Sequence, residues 1–436
     1  MERKVDITSE ALLKLAEQVE RELTDRFREI DMLSRENTER VLRAFQAERV
    51  SDSVFAGTTG YGYDDLGRET LDRVYARVFG AEAALVRLNF VNGTHAIAAA
   101  LFAALRPGQI LLSVTGAPYD TLRSVIGTQG NAPGTLRDYG IGYAQVELDE
   151  RGGADLSAAA RAAADGRVGA VLIQRSRGYA QRRALSAAEI GALADVVRAA
   201  NPGANILVDN CYGEFTETAE PTALGADLAA GSLIKNPGGG LAPTGGYVCG
   251  RADLVEAAAC RLTAPGIGGE CGATLGQNRL LFQGLFLAPH TVAQALKTAV
   301  FAAGMLQALG YHVSPGALEP RSDIIQTVEL GSAENLAAFC RGIQRGSAVD
   351  AFVTPEPWRM PGYDCDVIMA AGTFVQGASI ELSADGPMRE PYRAYLQGGL
   401  TYESGRLGIL TAIAEMGVGE QGAALGGGDG NIKFHG

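Results

Sequence analysis

The chain has 436 residues, 47% of them hydrophobic and 20% charged, the profile of a soluble globular protein and not of a disordered one. A formal net charge of −12 argues against a nucleic-acid binder, which normally carries a basic face. No apolar run of about 18 residues is present to cross a membrane, and the 57 glycines, which follow no G-x-y period, read as tight turns and close backbone approaches instead of collagen.

The N-terminus, MERKVDITSEALLKLAEQVE, is charged and lacks the apolar stretch of a secretory signal, which predicts a cytoplasmic protein. Residues 7 to 48 carry a helical pattern, broken once at most, with Thr8 or Ser9 as N-cap and apolar returns at Leu12, Leu13, Leu15, Ala16 and Val19. SVFAGTTGYGYDDLGRET (53–70) is a loop too long for a simple connection, and such loops are often functional. A helix is expected over about 70–79.

From there strands and helices alternate. Strands are expected at 83–88, 109–114, 141–148, 168–174, 204–210, 226–234 and 244–250, and helices at 94–105, from Tyr119, at 154–164 and at 185–200. Near-continuous apolar strands separated by helices predict a mostly parallel sheet covered on both faces. After Gly276 a helical stretch runs to about 309, kinked or divided at Pro289. Residues 311 to about 416 read as a second unit: RSDIIQTVEL a strand, SAENLAAFCRGI a helix, DVIMAAG and ASIELSA strands, and PYRAYLQGG the start of a helix. The glycine-rich tail reads as a loop or a docking arm. The six cysteines form neither a C-x-x-C pair nor a zinc pattern, so no metal is expected, and they suit a reducing compartment.

Three features fall at the carboxyl ends of expected strands, where open α/β sheets bind ligands. NFVNGTHAIAAA (89–100) turns from a strand into a helix, and the N–H groups of Gly93, Thr94 and His95 would face an anion there. The plain alternative is an N-capped helix with Asn92 or Thr94 as cap. ILVDNCYGEF (206–215) ends a buried strand on Asp209, a carboxylate that needs a cationic partner or simply caps a turn. GSLIKNPGGG (231–240) carries Lys235. This lysine is either a surface charge or a desolvated amine with a pKa brought toward neutrality and suited to Schiff-base chemistry. Ser232 lies three residues before it, and the three glycines after it would give a ring clearance.

Together the three meet the needs of pyridoxal 5′-phosphate: a phosphate at a helix N-terminus, an aspartate on the ring nitrogen, and a lysine 26 residues later for the imine.

The phrases FVNGTHAI (90–97), LIQRSRGY (172–179), VDNCYGEF (208–215), GSLIKNPGGG and FVQGASIELSADGPMREPY (374–392) carry a resemblance over nearly the whole chain. It resembles the fold type I pyridoxal-phosphate enzymes of cysteine and methionine metabolism, and most closely the branch of methionine gamma-lyase-like or aluminium resistance proteins. The resemblance implies an α/β, aspartate aminotransferase-like fold. Its parts would be an N-terminal helical arm (1–60), a large cofactor-binding domain (61–310) and a small C-terminal α+β domain (311–436).

It also implies roles. Lys235 matches the Schiff-base lysine, Asp209 the ring-nitrogen partner, Ser232, Gly93 and Thr94 the phosphate site, and Tyr119 the tyrosine that stacks on the ring and assists elimination. Tyr61 or Tyr63 resembles the tyrosine reaching a neighbouring subunit's cofactor, so a homodimer or homotetramer with shared sites is expected. His95 edges the cofactor or packs. The implied activity is a carbon–sulfur lyase acting on an amino acid by β- or γ-elimination. Replacement, racemisation, retro-aldol cleavage and a stress-tolerance scaffold with little catalysis are the alternatives. The chain departs from better-known lyases in two places. Ile234 precedes the lysine where Ser or Thr is usual, and Glu381 stands where the substrate-carboxylate arginine is expected. Arg389, Arg175 or Arg177 would have to replace that arginine.

Overall fold

The computed structural model describes residues 9–150, 152–178, 182–359 and 365–418. Thr8, Tyr179 and the tail beyond Val418 lie outside them. In chain order the elements are α1 (Glu10–Glu22), α2 (Thr24–Ala47), α3 (Leu66–Phe79), β1 (Ala83–Arg87), α4 (Gly93–Ala104), β2 (Ile110–Ser113), α5 (Asp120–Ile126) and β3 (Gly142–Gln145). There follow α6 (Leu156–Ala163), β4 (Val168–Gln174), α7 (Ala187–Ala200), β5 (Asn205–Asp209), β6 (Leu228–Ser232), β7 (Gly246–Gly250), α8 (Ala252–Leu262) and α9 (Asn278–Ala308). The last are β8 (His312–Ser314), β9 (Gln326–Glu329), α10 (Ala333–Arg345), β10 (Trp358–Arg359), β11 (Asp366–Ala370), β12 (Ser383–Pro387), β13 (Arg393–Gln397) and α11 (Tyr402–Glu415).

The chain forms two compact units, one spanning Glu36–Pro289 and the other combining the residues up to Arg35 with those from His290 onward. The first is built on a seven-stranded sheet in the order β1-β7-β6-β5-β4-β2-β3. The pairs among β3, β2, β4, β5 and β6 are parallel, and β7 runs antiparallel to both β6 and β1. All residues of β4 are buried, as expected of a parallel strand covered on both sides. Side chains of alternate residues enter opposite cores. Leu172 and Leu207 join Ala96, Ile97 and Ala100 of α4 on one face. Val171, Ile173, Ile206 and Val208 meet Ile190, Leu193 and Val197 of α7 on the other. Local signals set the helix ends. Asp65 caps α3 by accepting from Arg68 N, and Gly80 closes it at φ 65°, while Ser186 and Glu189 form a capping box on α7.

The second unit carries a six-stranded antiparallel sheet in the order β10-β11-β12-β13-β9-β8. Helices α10 and α11 meet through glycines. A Cβ on Gly342 would lie 2.3 Å from Ala412 Cα, and one on Gly346 would lie 2.6 Å from Gly408 Cα. The first helical turns belong here as well: Glu20 accepts from Tyr402 Oη at 2.6 Å and pairs with Arg406.

Several expectations are corrected. PYRAYLQGG is a strand and not a helix start, because Arg393–Leu396 pair with β9, and Gly398 and Gly399, at φ 79° and 136°, end the segment before α11 begins. The ASIELSA strand is displaced to Ser383–Pro387, since residues 379 to 382 form a turn and a bend. The strand expected in RSDIIQTVEL is confined to Gln326–Glu329. Of the two alternatives left for the stretch after Gly276, α9 is the single element, with Pro289 inside it, and α3 starts earlier than expected, at Leu66, because Asp65 supplies the cap.

Candidate active site

The carboxyl ends of β4, β5 and β6 lie side by side. Gln174 and Asp209 are register partners, and Asp209 stands opposite Ala230 of β6. Asp209 is buried, and its Oδ1 accepts from the Cys211 N–H at 3.2 Å. Burial raises its pKa, against the opposing charge of Lys235. A carboxylate in this state is one that a cation would stabilise.

Lys235 follows the end of β6 and is partly buried. Its Nζ lies 3.8 Å from the ring centroid of Tyr212. Burial pushes its pKa down, but Cys211, Tyr212 and Asp209 around it push it up, and the net direction is upward. This corrects the expectation of a lysine whose pKa falls toward neutrality: its neighbours outweigh burial and favour the protonated amine.

Gly93 and Thr94 open α4. Asn92 Oδ1 accepts from the His95 N–H at 2.9 Å, and His95 Nδ1 accepts from Val91 N at 3.2 Å. His95 also meets Phe90 edge to face at 5.5 Å, and burial lowers its pKa. Its N–H is therefore not available to a phosphate, unlike the expectation. The amides of Gly93 and Thr94 occupy positions where a helix offers no acceptor of its own. A Cβ on Gly93 would come within 3.2 Å of Ser232 Cβ and 3.5 Å of Cys211 Sγ. The glycine thus lets the α4 turn close on Ser232, which is buried. Thr94 Oγ1 lies 3.1 Å from Tyr119 Oη, and Tyr119 N donates to Gln174 Oε1 at 3.0 Å. Burial and then the nearby Asp209 raise the pKa of the Tyr119 hydroxyl.

These residues fit pyridoxal phosphate. Asp209 is a carboxylate that burial disfavours even with Lys235 nearby, Gly93 has no Cβ and so lets the free amides of the α4 turn close on Ser232, and Lys235 is an amine within electrostatic reach of both Asp209 and Tyr119.

The remaining candidates differ in their surroundings. Arg175 is fully buried and held by Asn210 at 2.8 Å, Glu217 at 2.8 Å and Glu220 at 3.5 Å. Its guanidinium belongs to an internal network, which removes it as a substrate clamp. Arg177 is buried near the end of β4. Arg389 is exposed in the turn between β12 and β13, in the other unit. Glu381 accepts from the Phe374 and Val375 amides at 2.8 and 2.9 Å, so the residue in the arginine's place clamps a loop. Tyr61 and Tyr63 are 76% and 57% exposed and stack at 5.7 Å. Glycines 238 and 239 do not clear a ring. A Cβ on Gly238 would sit 1.8 Å from Leu233 O, and one on Gly239 2.3 Å from Gly284 O of α9. They let the backbone pack on itself and on the helix.

Sequence reasoning missed the layer behind the lysine. Asn236 donates from Nδ2 to Tyr212 O at 3.0 Å and Glu214 O at 2.9 Å. Tyr247 Oη donates to Glu214 Oε1 at 2.7 Å, and Gly231 leaves the room for it. The only local signal was that Asn236 adjoins the lysine and that Glu214 falls in an otherwise apolar turn. Among the described residues no group of three or more His, Cys, Asp or Glu could hold a metal, and no helix is long and apolar enough to cross a membrane.

Known proteins match this architecture. The family described as methionine gamma-lyase matches residues 12–417. The uncharacterized protein YnbB of Bacillus subtilis is 51% identical over 93% of this chain and 97% of its own. A crystal structure from Clostridium novyi, described as a carbon-sulfur lyase involved in aluminum resistance, has a TM-score of 0.90 at 51% identity, covering 93% of this chain and 96% of that one. A structure from Clostridium acetobutylicum has a TM-score of 0.91 at 48% identity, covering 94% and 97%. With the match running almost from end to end, the chain belongs to the methionine gamma-lyase family.

Proposed function

We propose that this protein is a pyridoxal-phosphate-dependent carbon–sulfur lyase that cleaves a sulfur-containing amino acid by β- or γ-elimination. The observation that carries the reading is the convergence of Lys235, Asp209 and the Gly93–Thr94 turn with Ser232 at the carboxyl ends of adjacent strands. The description of the Clostridium novyi relative supports the same reaction class.

In this reading Gly93, Thr94 and Ser232 hold the phosphate through amides and a hydroxyl. Asp209 would face the ring nitrogen and favour its protonated form, adding a cation to a carboxylate that burial disfavours even with Lys235 nearby. The bound cofactor supplies an electron sink for the pair left when Cα loses its proton. Lys235 Nζ is the group that would anchor the cofactor through its aldehyde, and, released from it and having given up its own extra proton, would take the proton from Cα. The same amine can take a Cβ proton when the leaving group is at Cγ. Tyr119, with its hydroxyl tied to Thr94 and its backbone to Gln174, packs on the ring and assists departure of the sulfur. Tyr61 and Tyr63, exposed and stacked, would extend to the phosphate of a neighbouring subunit in a dimer or tetramer.

The test is a visible absorption band in the purified protein, then borohydride reduction and peptide mapping, then keto-acid release from cystathionine, methionine, cysteine and serine. The reading expects a band, an adduct on Lys235 that is absent in Lys235→Ala, and keto acid from a sulfur-containing substrate. No band after adding the cofactor, or an adduct on another lysine, overturns it.

A further inference from the structure

Lys235 is flanked by a feature that the proposed chemistry does not itself require. Its Nζ sits over the face of the Tyr212 ring at 3.8 Å, within the range where an aromatic face attracts an ammonium. Tyr212 is not there by default. Its φ is 71°, a left-handed backbone that aromatic residues seldom adopt. Such a conformation persists only where surrounding contacts determine it.

Those contacts are visible. The buried Asn236 side chain donates to the carbonyls of both Tyr212 and Glu214. Gly213 N donates to Asn210 O at 3.0 Å, and Gly213 packs so tightly on Arg175 that a Cβ would fall 2.4 Å from its Cδ. Glu214 is anchored from behind by Tyr247. Asn236 is the residue next to Lys235, so one short segment carries both the amine and the group that fixes the ring beneath it.

We propose that Tyr212 is a positioning residue whose ring face is the seat of the Lys235 amine when it is protonated and not joined to a carbonyl, and that Asn236 is the clamp that holds the ring in place. The proposal deepens the function proposed above and rests on it for its purpose: an amine that is displaced and must return each turnover gains from a fixed waiting position. The seat itself is a property of the protein without cofactor. The titratable groups around Nζ are Asp209, Cys211, Tyr212, Tyr119 and Glu214. Among these Tyr212 is the one whose ring lies directly under the nitrogen.

The chain suits a direct measurement, because it has lysines only at positions 4, 14, 235, 297 and 433. The full-length protein, freed of carbonyl ligands with hydroxylamine, is acylated over a pH series, and Lys235 modification is followed by peptide mass spectrometry. Tyr212→Leu keeps the space apolar but removes the π face. It is expected to lower the labelling midpoint by about one pH unit and speed labelling about tenfold at pH 8. Tyr212→Phe keeps the face and is expected to stay within about twofold of the wild type. Asn236→Ala releases the clamp and is expected to shift in the same direction as Tyr212→Leu. Melting temperatures are recorded for all three, and if Tyr212→Leu does not fold, Asn236→Ala against Tyr212→Phe decides.

Wild-type labelling in Tyr212→Leu, or an equal shift in Tyr212→Phe, overturns the seat. An unshifted Asn236→Ala overturns the clamp. The readout needs no bound cofactor, so a protein that fails to form a visible band would defeat the function proposed above without touching this result.

Discussion

Replacing Glu214 by glutamine tests the layer behind the site. The Glu214 side chain is fully buried, its Oε1 accepts from Tyr247, and its Oε2 has no hydrogen-bond partner. Burial pushes its pKa up to about 8, whereas a glutamate in the unfolded chain titrates near about 4.3. The folded protein therefore keeps a proton that the unfolded chain releases across this window. The stabilisation is fully present below the unfolded value and is lost as pH rises through the folded one. The slope is about −1.4 kcal/mol per pH unit, or about 4 kcal/mol between pH 5 and pH 8. Glutamine has nearly the same shape and does not titrate. Urea unfolding of the wild type and Glu214→Gln at half-unit pH steps should show the stability difference growing in favour of the variant by about that amount, then levelling off above about pH 8. Parallel stability curves for the two proteins would refute the assignment of a protonated carboxyl at this position.

Four further outcomes follow from the geometry. Arg175→Met should cost folding stability, by about 3–5 kcal/mol, because Glu217 and Glu220 lose their buried partner; a raised KM in a protein of unchanged stability would restore Arg175 as a substrate ligand. Gly239→Ala places a Cβ 2.3 Å from Gly284 O at a φ of 56°, and denaturation should show a loss of about 1–3 kcal/mol with or without cofactor. Gly93→Ala should instead act on the cofactor, since its Cβ would press on Ser232 and Cys211; spectral titration is expected to show at least about a tenfold weaker affinity, with a melting temperature of the unloaded protein near that of the wild type. Asp209→Ala should leave the borohydride adduct on Lys235 while keto-acid release falls, by about a hundredfold or more if preorganised charge stabilisation dominates.

Much of the site was legible because its parts are local. A strand that ends on a carboxylate, a Gly-Thr turn into an alanine-rich helix, and a lysine between an apolar strand and Asn-Pro each leave a mark within ten residues. The near-continuous apolar runs gave the strands of the seven-stranded sheet for the same reason: burial on both faces is written into most of them. The errors lie where neighbours from afar decide. PYRAYLQGG has the apolar spacing of a short helix, but β9 and β12 hold it as a strand. Arg175 lies in the right stretch for a substrate clamp, yet Glu217 and Glu220 enclose it.

The sequence by itself determined the parallel core and most of the order of the elements and singled out Lys235, Asp209 and the turn at Gly93 as candidates, because periodicity and turn chemistry act within a short span of chain. Only the tertiary structure decided the direction in which the pKa of the lysine moves and the purpose of its glycines. The upward shift of Lys235 comes from Asp209, Cys211 and Tyr212, brought to it by the pairing of β5 with β6. Gly238 and Gly239 are required by Leu233 and by a helix that begins some 40 residues later. Charge and close packing depend on distances through space, and these exist only once the strands have paired.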